Sequence, residues 1–195
     1  YQRNSVEAYA AAADEILKAR KVLFLGLRSA FSMAYHLHCT CDWLRDNTAV
    51  AADAGGAWPE KVLSLAPPDL LVVVSQAPYT RMVVENTQTA ADRGVRILAI
   101  TDSELSPLAR LATVSLFFRS SSSSFFHSQV GALALAERLM ADVAQRGRAD
   151  VNARLSDRRD MLQNNRAYWE KPGTFKTPKP PKTPASKVNP GHDRD

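Results

Sequence analysis

The chain lacks long apolar runs, is poor in cysteine and opens on no basic leader, and each shortage removes a class of protein. Its strongly apolar runs, Val22–Leu25 and Leu70–Val74, have the length of buried strands, and no stretch approaches the roughly 20 residues a membrane span requires. The sequence starts at Tyr1 inside a helical pattern, with neither a signal-peptide pattern nor an initiator Met, so a longer native chain is expected. The two cysteines, Cys39 and Cys41, stand two apart in a helical stretch. That spacing turns their side chains to nearly opposite sides, which excludes a mutual disulfide. Sparse, unpaired Cys is the usage of a reducing cytoplasm, the expected location.

Basic charge is also scarcer than the net +5 suggests. Residues 171–195 hold five Lys and one Arg against two Asp, a net +4, and six of the eleven prolines. The remaining 170 residues are close to neutral and show no basic stripe, which argues against nucleic-acid binding by the folded body. The Pro/Lys-rich segment buries too little apolar surface to offset its ordering entropy, so residues 171–195 are predicted to be a disordered tail.

What is present is a chain of 195 residues, 45% hydrophobic, enough for one domain with a substantial core. Val6, Tyr9, Ala13, Ile16 and Leu17 predict an opening helix. Strands are predicted at residues 21–26, 48–52, 69–75, 95–100 and 113–118, with a Gly-rich turn at 53–56 closing the second. Helices are predicted between them from Ala30 to Leu44, from Trp58 to Leu65, and from Met82 to Ala90, the last stopping at Gly94. A long helix is predicted over 125–144, with Val130, Leu133, Ala134, Glu137 and Met140 on one side, and one more over 151–169. This alternation implies an α/β fold of three layers: a doubly wound, five-stranded parallel sheet with helices on both faces.

In such a sheet a ligand binds beyond the carboxyl ends of the strands, where strand order reverses; in the flavodoxin-like order that is between the first and third strands. The two loops there are both polar. The first runs from Gly26 through Arg28, Ser29 and Ser32 into a helix. Its glycine permits a tight turn, its amides and hydroxyls can face an anion, and Arg28 suits phosphate. The second runs from Ser75 through Gln76, Ala77, Pro78 and Tyr79 to Thr80, with three hydrogen-bonding side chains. The bland alternative makes Ser29 and Thr80 ordinary helix caps. The candidate ligand-binding residues are therefore Gly26, Arg28, Ser29, Ser32, Ser75, Gln76 and Thr80.

Arg28 and Phe31 stand where a dinucleotide fingerprint needs glycine, so no nicotinamide cofactor is expected. Of His36, His38, Cys39 and Cys41 no more than two converge at helical spacing, as His38 and Cys41 do, and two ligands do not make a site, so no metal is expected either. His127 is read as a residue of the first turn of the last long helix.

These loops resemble those of the SIS (sugar isomerase) domain. Gly26-Leu27-Arg28-Ser29 matches its Gly-x-x-Ser turn, and Ser75 and Thr80 match the ends of its Ser-x-Ser-Gly-x-Thr turn. The segment from Ile100-Thr101-Asp102-Ser103 to Ser106-Pro107-Leu108-Ala109 is similar to one in the RpiR/MurR family of bacterial transcriptional regulators. The resemblance implies an SIS domain over 1–148, followed by a C-terminal helix (149–170) and the tail. It also implies an effector domain that binds a phosphosugar or related carbohydrate derivative. That domain would control DNA through a helix-turn-helix unit upstream of this chain, as a homodimer or tetramer away from any membrane. No catalytic residue is expected. The alternative is a sugar-phosphate aldose-ketose isomerase, whose proton shuttling would need a base such as Glu60, Glu85 or, best positioned, His127. Ala77 and Pro78 depart from the family turn, costing a hydroxyl and an amide donor.

Overall fold

Apolar runs of four to six residues, too short for helices and flanked by turn formers, lie at the centre of the molecule as strands. The structure is a computed structural model and describes residues 4–52 and 55–169. The predicted tail and the start of the 53–56 turn lie outside the described residues. Five strands form one sheet: β1 (Val22–Leu25), β2 (Thr48–Val50), β3 (Leu70–Val74), β4 (Arg96–Thr101) and β5 (Val114–Phe117). Their order is β2-β1-β3-β4-β5 and every pairing is parallel. β1 and β3 are buried along their whole length, as expected of central strands covered on both faces.

Among the described residues there are seven α-helices: α1 (Val6–Lys18), α2 (Phe31–Cys41), α3 (Trp58–Leu63), α4 (Arg81–Asp92), α5 (Pro107–Leu111), α6 (Val130–Arg146) and α7 (Arg148–Asn164). Alternate strand residues divide the core in two. Phe24, Val72, Leu98 and Leu116 pack with Ile16, Leu37, Leu135 and Leu139 from α1, α2 and α6. Leu23, Leu71, Val73 and Ile97 pack with Val62, Val83 and Leu108 from α3, α4 and α5. The predicted three-layer α/β architecture is the observed one.

Three local expectations are corrected. The last long helix begins at Val130 rather than at 125, so Phe125, Phe126 and His127 belong to the preceding loop. Its buried face is Ala132, Leu135, Ala136, Leu139, Met140 and Val143, whereas Val130 is 73% and Leu133 38% exposed. These six recur at helical spacing, with Glu137, Arg138, Asp142 and Arg146 turned away from them, so the periodicity, taken in this register, carries the buried face. Gly131 permits a close approach to the preceding loop, because a Cβ there would lie 2.8 Å from the Arg119 carbonyl oxygen. The third correction is α5, which periodicity missed; Ser106 caps its first turn by accepting from the Leu108 amide at 3.2 Å, and Pro107 opens it.

Two contacts frame the sheet. At the amino ends of β1 and β3, Asp69 accepts from Arg20 Nε and Nη2, both at 2.9 Å, and from the Ala66 amide at 3.1 Å. The guanidinium hydrogen bond holds the buried carboxyl below its ordinary range. On the outer edge of β5, the Asn4 side-chain amide donates to the Phe117 carbonyl at 2.8 Å and accepts from its amide at 2.7 Å. That pair of bonds covers part of an otherwise open strand edge.

The chain divides into two compact units, Tyr1–Leu155 and Ser156–Asp195. Within the first, Val151 and Leu155 at the start of α7 join the core around α1 and α6. In the second, Met161 and Tyr168 are exposed. Among the described residues no helix is long and apolar enough to cross a membrane.

Candidate functional site

Strand order reverses between β1 and β3, and in an open α/β sheet the turns leaving two such strands diverge, which makes their carboxyl ends the candidate place for a ligand. After β1, Gly26 lets the chain pass close beneath α2, since a Cβ there would stand 2.6 Å from the Ala30 carbonyl oxygen. A short 3₁₀ turn, Arg28–Ala30, then leads into α2. Arg28 adopts a left-handed φ of 56° and is exposed. Ser32 donates its hydroxyl back to the Ser29 carbonyl at 3.0 Å.

After β3, Ser75 and Gln76 are buried, at 3% and 5% exposure, and the Ser75 amide donates to Ile100 of β4 at 3.2 Å. The Ala77–Pro78 peptide bond is cis. Asp102, just past β4, grips this turn from the far side: one carboxylate oxygen accepts from the Ala77 amide at 3.2 Å and the other from the Tyr79 hydroxyl at 2.8 Å. Burial, then the Asp102 hydrogen bond, raise the Tyr79 phenol above its ordinary range, so it stays a donor. Thr80 precedes α4, and its hydroxyl caps nothing there.

The two turns meet through side chains. Gln76 Nε2 donates to Ser29 Oγ at 3.2 Å, and Ser29 Oγ shares a 2.7 Å hydrogen bond with His127 Nε2. The ring of Phe126 stacks on His127 at 4.2 Å. Ser29 is thus no helix cap. It is the hub joining the β1 turn, the β3 turn and the loop before α6. Gln76 Oε1 is buried without a partner, as are both amide atoms of Gln129 at the start of α6. Buried amides in that condition need water or a bound ligand.

Of the residues picked from sequence, Ser29 and Gln76 are in contact. Ser32 bonds to Ser29 within its own turn, while Gly26, Arg28, Ser75 and Thr80 belong to the same two turns without a side-chain hydrogen bond between them. His127 was read only as the candidate base of the isomerase alternative, because its partner Ser29 lies 98 positions away, and Tyr79 and Asp102 were not picked for a similar reason. The Ser-Pro start of α5 and the Asp102 motif were the signals that this segment is ordered.

The proton-transfer candidates fare unequally. Glu85 is exposed and paired with Arg81 at 2.9 Å along α4, and Glu60 is exposed on α3. Of the three, His127 alone bonds to a residue of the two turns, Ser29. Among the described residues no carboxylate is hydrogen-bonded to its ring, the place a nucleophilic triad gives its third member. Among the described residues no group of three metal-ligating side chains is gathered. Cys41 is buried, which pushes its thiol up to about 12, and burial lowers the His38 imidazole. A concavity of about 260 Å³ opens beyond β4 and β5, away from Ser29 and Gln76, lined by Asp102, Ser103, Glu104, Leu105 and Phe117. Two carboxylates in its wall make it a poor host for an anion.

The family model of the SIS domain matches residues 15–140. The sugar isomerase domain of an RpiR transcription factor from Sphaerobacter thermophilus is 30% identical, with a TM-score of 0.76 over 81% of this chain and 88% of that one. An HTH-type transcriptional regulator of Caldanaerobacter subterraneus subsp. tengcongensis is 25% identical over 169 residues. The match takes in 81% of this chain but only 57% of that regulator's length. Two further structures share the fold alone. The Vibrio vulnificus NanR protein complexed with ManNAc-6P is 17% identical, with a TM-score of 0.74 over 83% of this chain and 62% of that one. MJ1247 of Methanococcus jannaschii, whose structure infers a 3-hexulose-6-phosphate isomerase, is 16% identical, with a TM-score of 0.63 over 78% and 84%.

Proposed function

The chain belongs to the SIS domain family, in the form carried by RpiR regulators, and from that premise we propose that it is a metabolite-sensing domain. Its ligand is a phosphosugar or related carbohydrate derivative, bound between the β1 and β3 turns by Gly26, Arg28, Ser29, Ser32, Ser75, Gln76 and Thr80. Occupancy of the cleft controls a helix-turn-helix unit upstream of this chain. The observation that carries the reading is Gln76: a side chain 5% exposed ties the two turns together at Ser29 and leaves its other amide atom unpartnered. A ligand hydroxyl would satisfy that atom, at a net gain of about 1 kcal/mol.

In this reading residues 1–148 form the sensing domain, 149–170 a C-terminal helix and 171–195 a tail, in a cytoplasmic homodimer or tetramer. Exposed Phe31 and Tyr35 on α2, with Val130 and Leu133 on α6, supply an apolar surface suited to a second copy. The regulator relatives support sensing over turnover. The isomerase reading keeps one supporting observation, His127 at the cleft hub.

The test is a thermal-shift screen of phosphosugars, followed by operator binding of the full-length regulator with each ligand found. A ligand that raises the melting temperature and changes DNA affinity is the expected result. Stabilisation without any effect on DNA would contradict the regulatory part, and no stabilisation by any carbohydrate derivative would contradict the sensing part.

A further inference from the structure

The β3–α4 turn already holds an anion of its own. Asp102 receives the Ala77 amide and the Tyr79 hydroxyl on its two carboxylate oxygens, and Pro78 has no amide to offer. Two acceptors of one N–H come within about 5 Å of each other. A phosphate sharing the Ala77 amide would therefore press against a fixed like charge at close range. Besides the neutral Thr80 hydroxyl, which caps nothing, the turn contributes Gln76, which donates to Ser29 at 3.2 Å and keeps Oε1 buried and unpartnered. An amide oxygen accepts from hydroxyls and does nothing for a phosphate. The first turn has the complementary set. Arg28 is an exposed cation on a left-handed backbone, one residue before Ser29, whose Oγ sits beside an imidazole.

We infer that Asp102 is a specificity-determining residue that excludes anions from the β3–α4 turn. The ligand's phosphate or carboxylate is held at the β1–α2 turn by Arg28 and Ser29, while Gln76 takes its hydroxyls. This rests on the cleft being the ligand site, as proposed above, and adds the ligand's orientation within it.

The experiment is an amide-resolved NMR titration with inorganic phosphate on wild type, Asp102→Asn, Tyr79→Phe and Arg28→Gln. In wild type, phosphate should shift amides of residues 27–32 and leave 76–81 unmoved. Arg28→Gln should weaken that binding at least about fivefold, in keeping with the loss of a charged contact. Asp102→Asn should add a response at 76–81, whereas Tyr79→Phe, which loosens the same turn but keeps the carboxylate, should not. A wild-type response at 76–81, an Asp102→Asn protein like wild type, equal effects of Asp102→Asn and Tyr79→Phe, or no response at either turn would each overturn the inference. A phosphosugar that still stabilises the protein in any of those cases leaves the sensing function standing. A wild-type response at 27–32 with no carbohydrate derivative bound would instead count against the sensing function.

Discussion

Gly26 shows how a residue can be read correctly for an incomplete reason. From sequence it is a glycine that permits a tight turn. In the structure the left-handed residue is Arg28, at φ 56°, and Gly26 is required by space: a Cβ would meet Ala30 O at 2.6 Å and Ala34 Cβ at 2.9 Å. Both neighbours are backbone or the base of a buried side chain, so neither can swing away. Gly26→Ala should therefore cost about 1–3 kcal/mol, the range of overpacked sites, seen as a lower urea midpoint with an unchanged slope. An unchanged midpoint would mean that α2 can shift without penalty. Ser29 and Gln76 were legible because strand-end polar residues at a reversal of strand order have few structural reasons to be there. His127, Tyr79 and Asp102 were not, since each acquires its role from a partner brought near only by tertiary packing.

At the scale of elements, legibility follows periodicity. The five strands and the helices α1, α2 and α4 are apolar at the right spacing and were read within a few residues. α5 has five residues, fewer than two turns, and offers no period to detect. α6 has apolar residues such as Val130 and Leu133 outside its buried face, and taking them as its core side displaced the reading from the register 132, 135, 136, 139, 140 and 143 that is buried. The junction beneath β1 and β3 yields a test at this scale. Asp69 is 1% exposed and its carboxyl is depressed chiefly by the Arg20 hydrogen bond. A depressed carboxyl contributes stability above its unfolded pKa, near 4, and loses that contribution as pH falls through the folded value. Asp69→Asn should lower stability at neutral pH by about 1–3 kcal/mol, towards the lower end because Arg20 is exposed to solvent. It should also flatten the acid limb of the stability profile. Equal acid limbs in the two proteins would show that Asp69 does not carry the pH dependence.

The whole molecule was the most legible level, because alternation of strands and helices leaves few topologies once crossovers are right-handed. The observed order, β2-β1-β3-β4-β5, makes β1 and β3 neighbours and so brings the two polar loops side by side, as the flavodoxin-like order predicts. The quality of the cleft was less legible. Ala77 and Pro78 marked an altered turn, but the altered chemistry belongs to Asp102, which answers the turn from another strand. The two turns bring together a hydroxyl hub, one exposed arginine, an imidazole and a buried amide oxygen without a partner. The most direct measurement is a calorimetric titration of the stabilising carbohydrate derivative into wild type and the Ser29→Ala/Gln76→Ala double variant, with the ligand recovered afterwards for NMR. The account expects saturable binding by wild type, at least about tenfold weaker binding by the variant, in line with the loss of two hydrogen-bonding side chains, and ligand recovered unchanged. Equal affinity in the two proteins would contradict the site, and recovery of the isomeric sugar would contradict sensing as the domain's purpose.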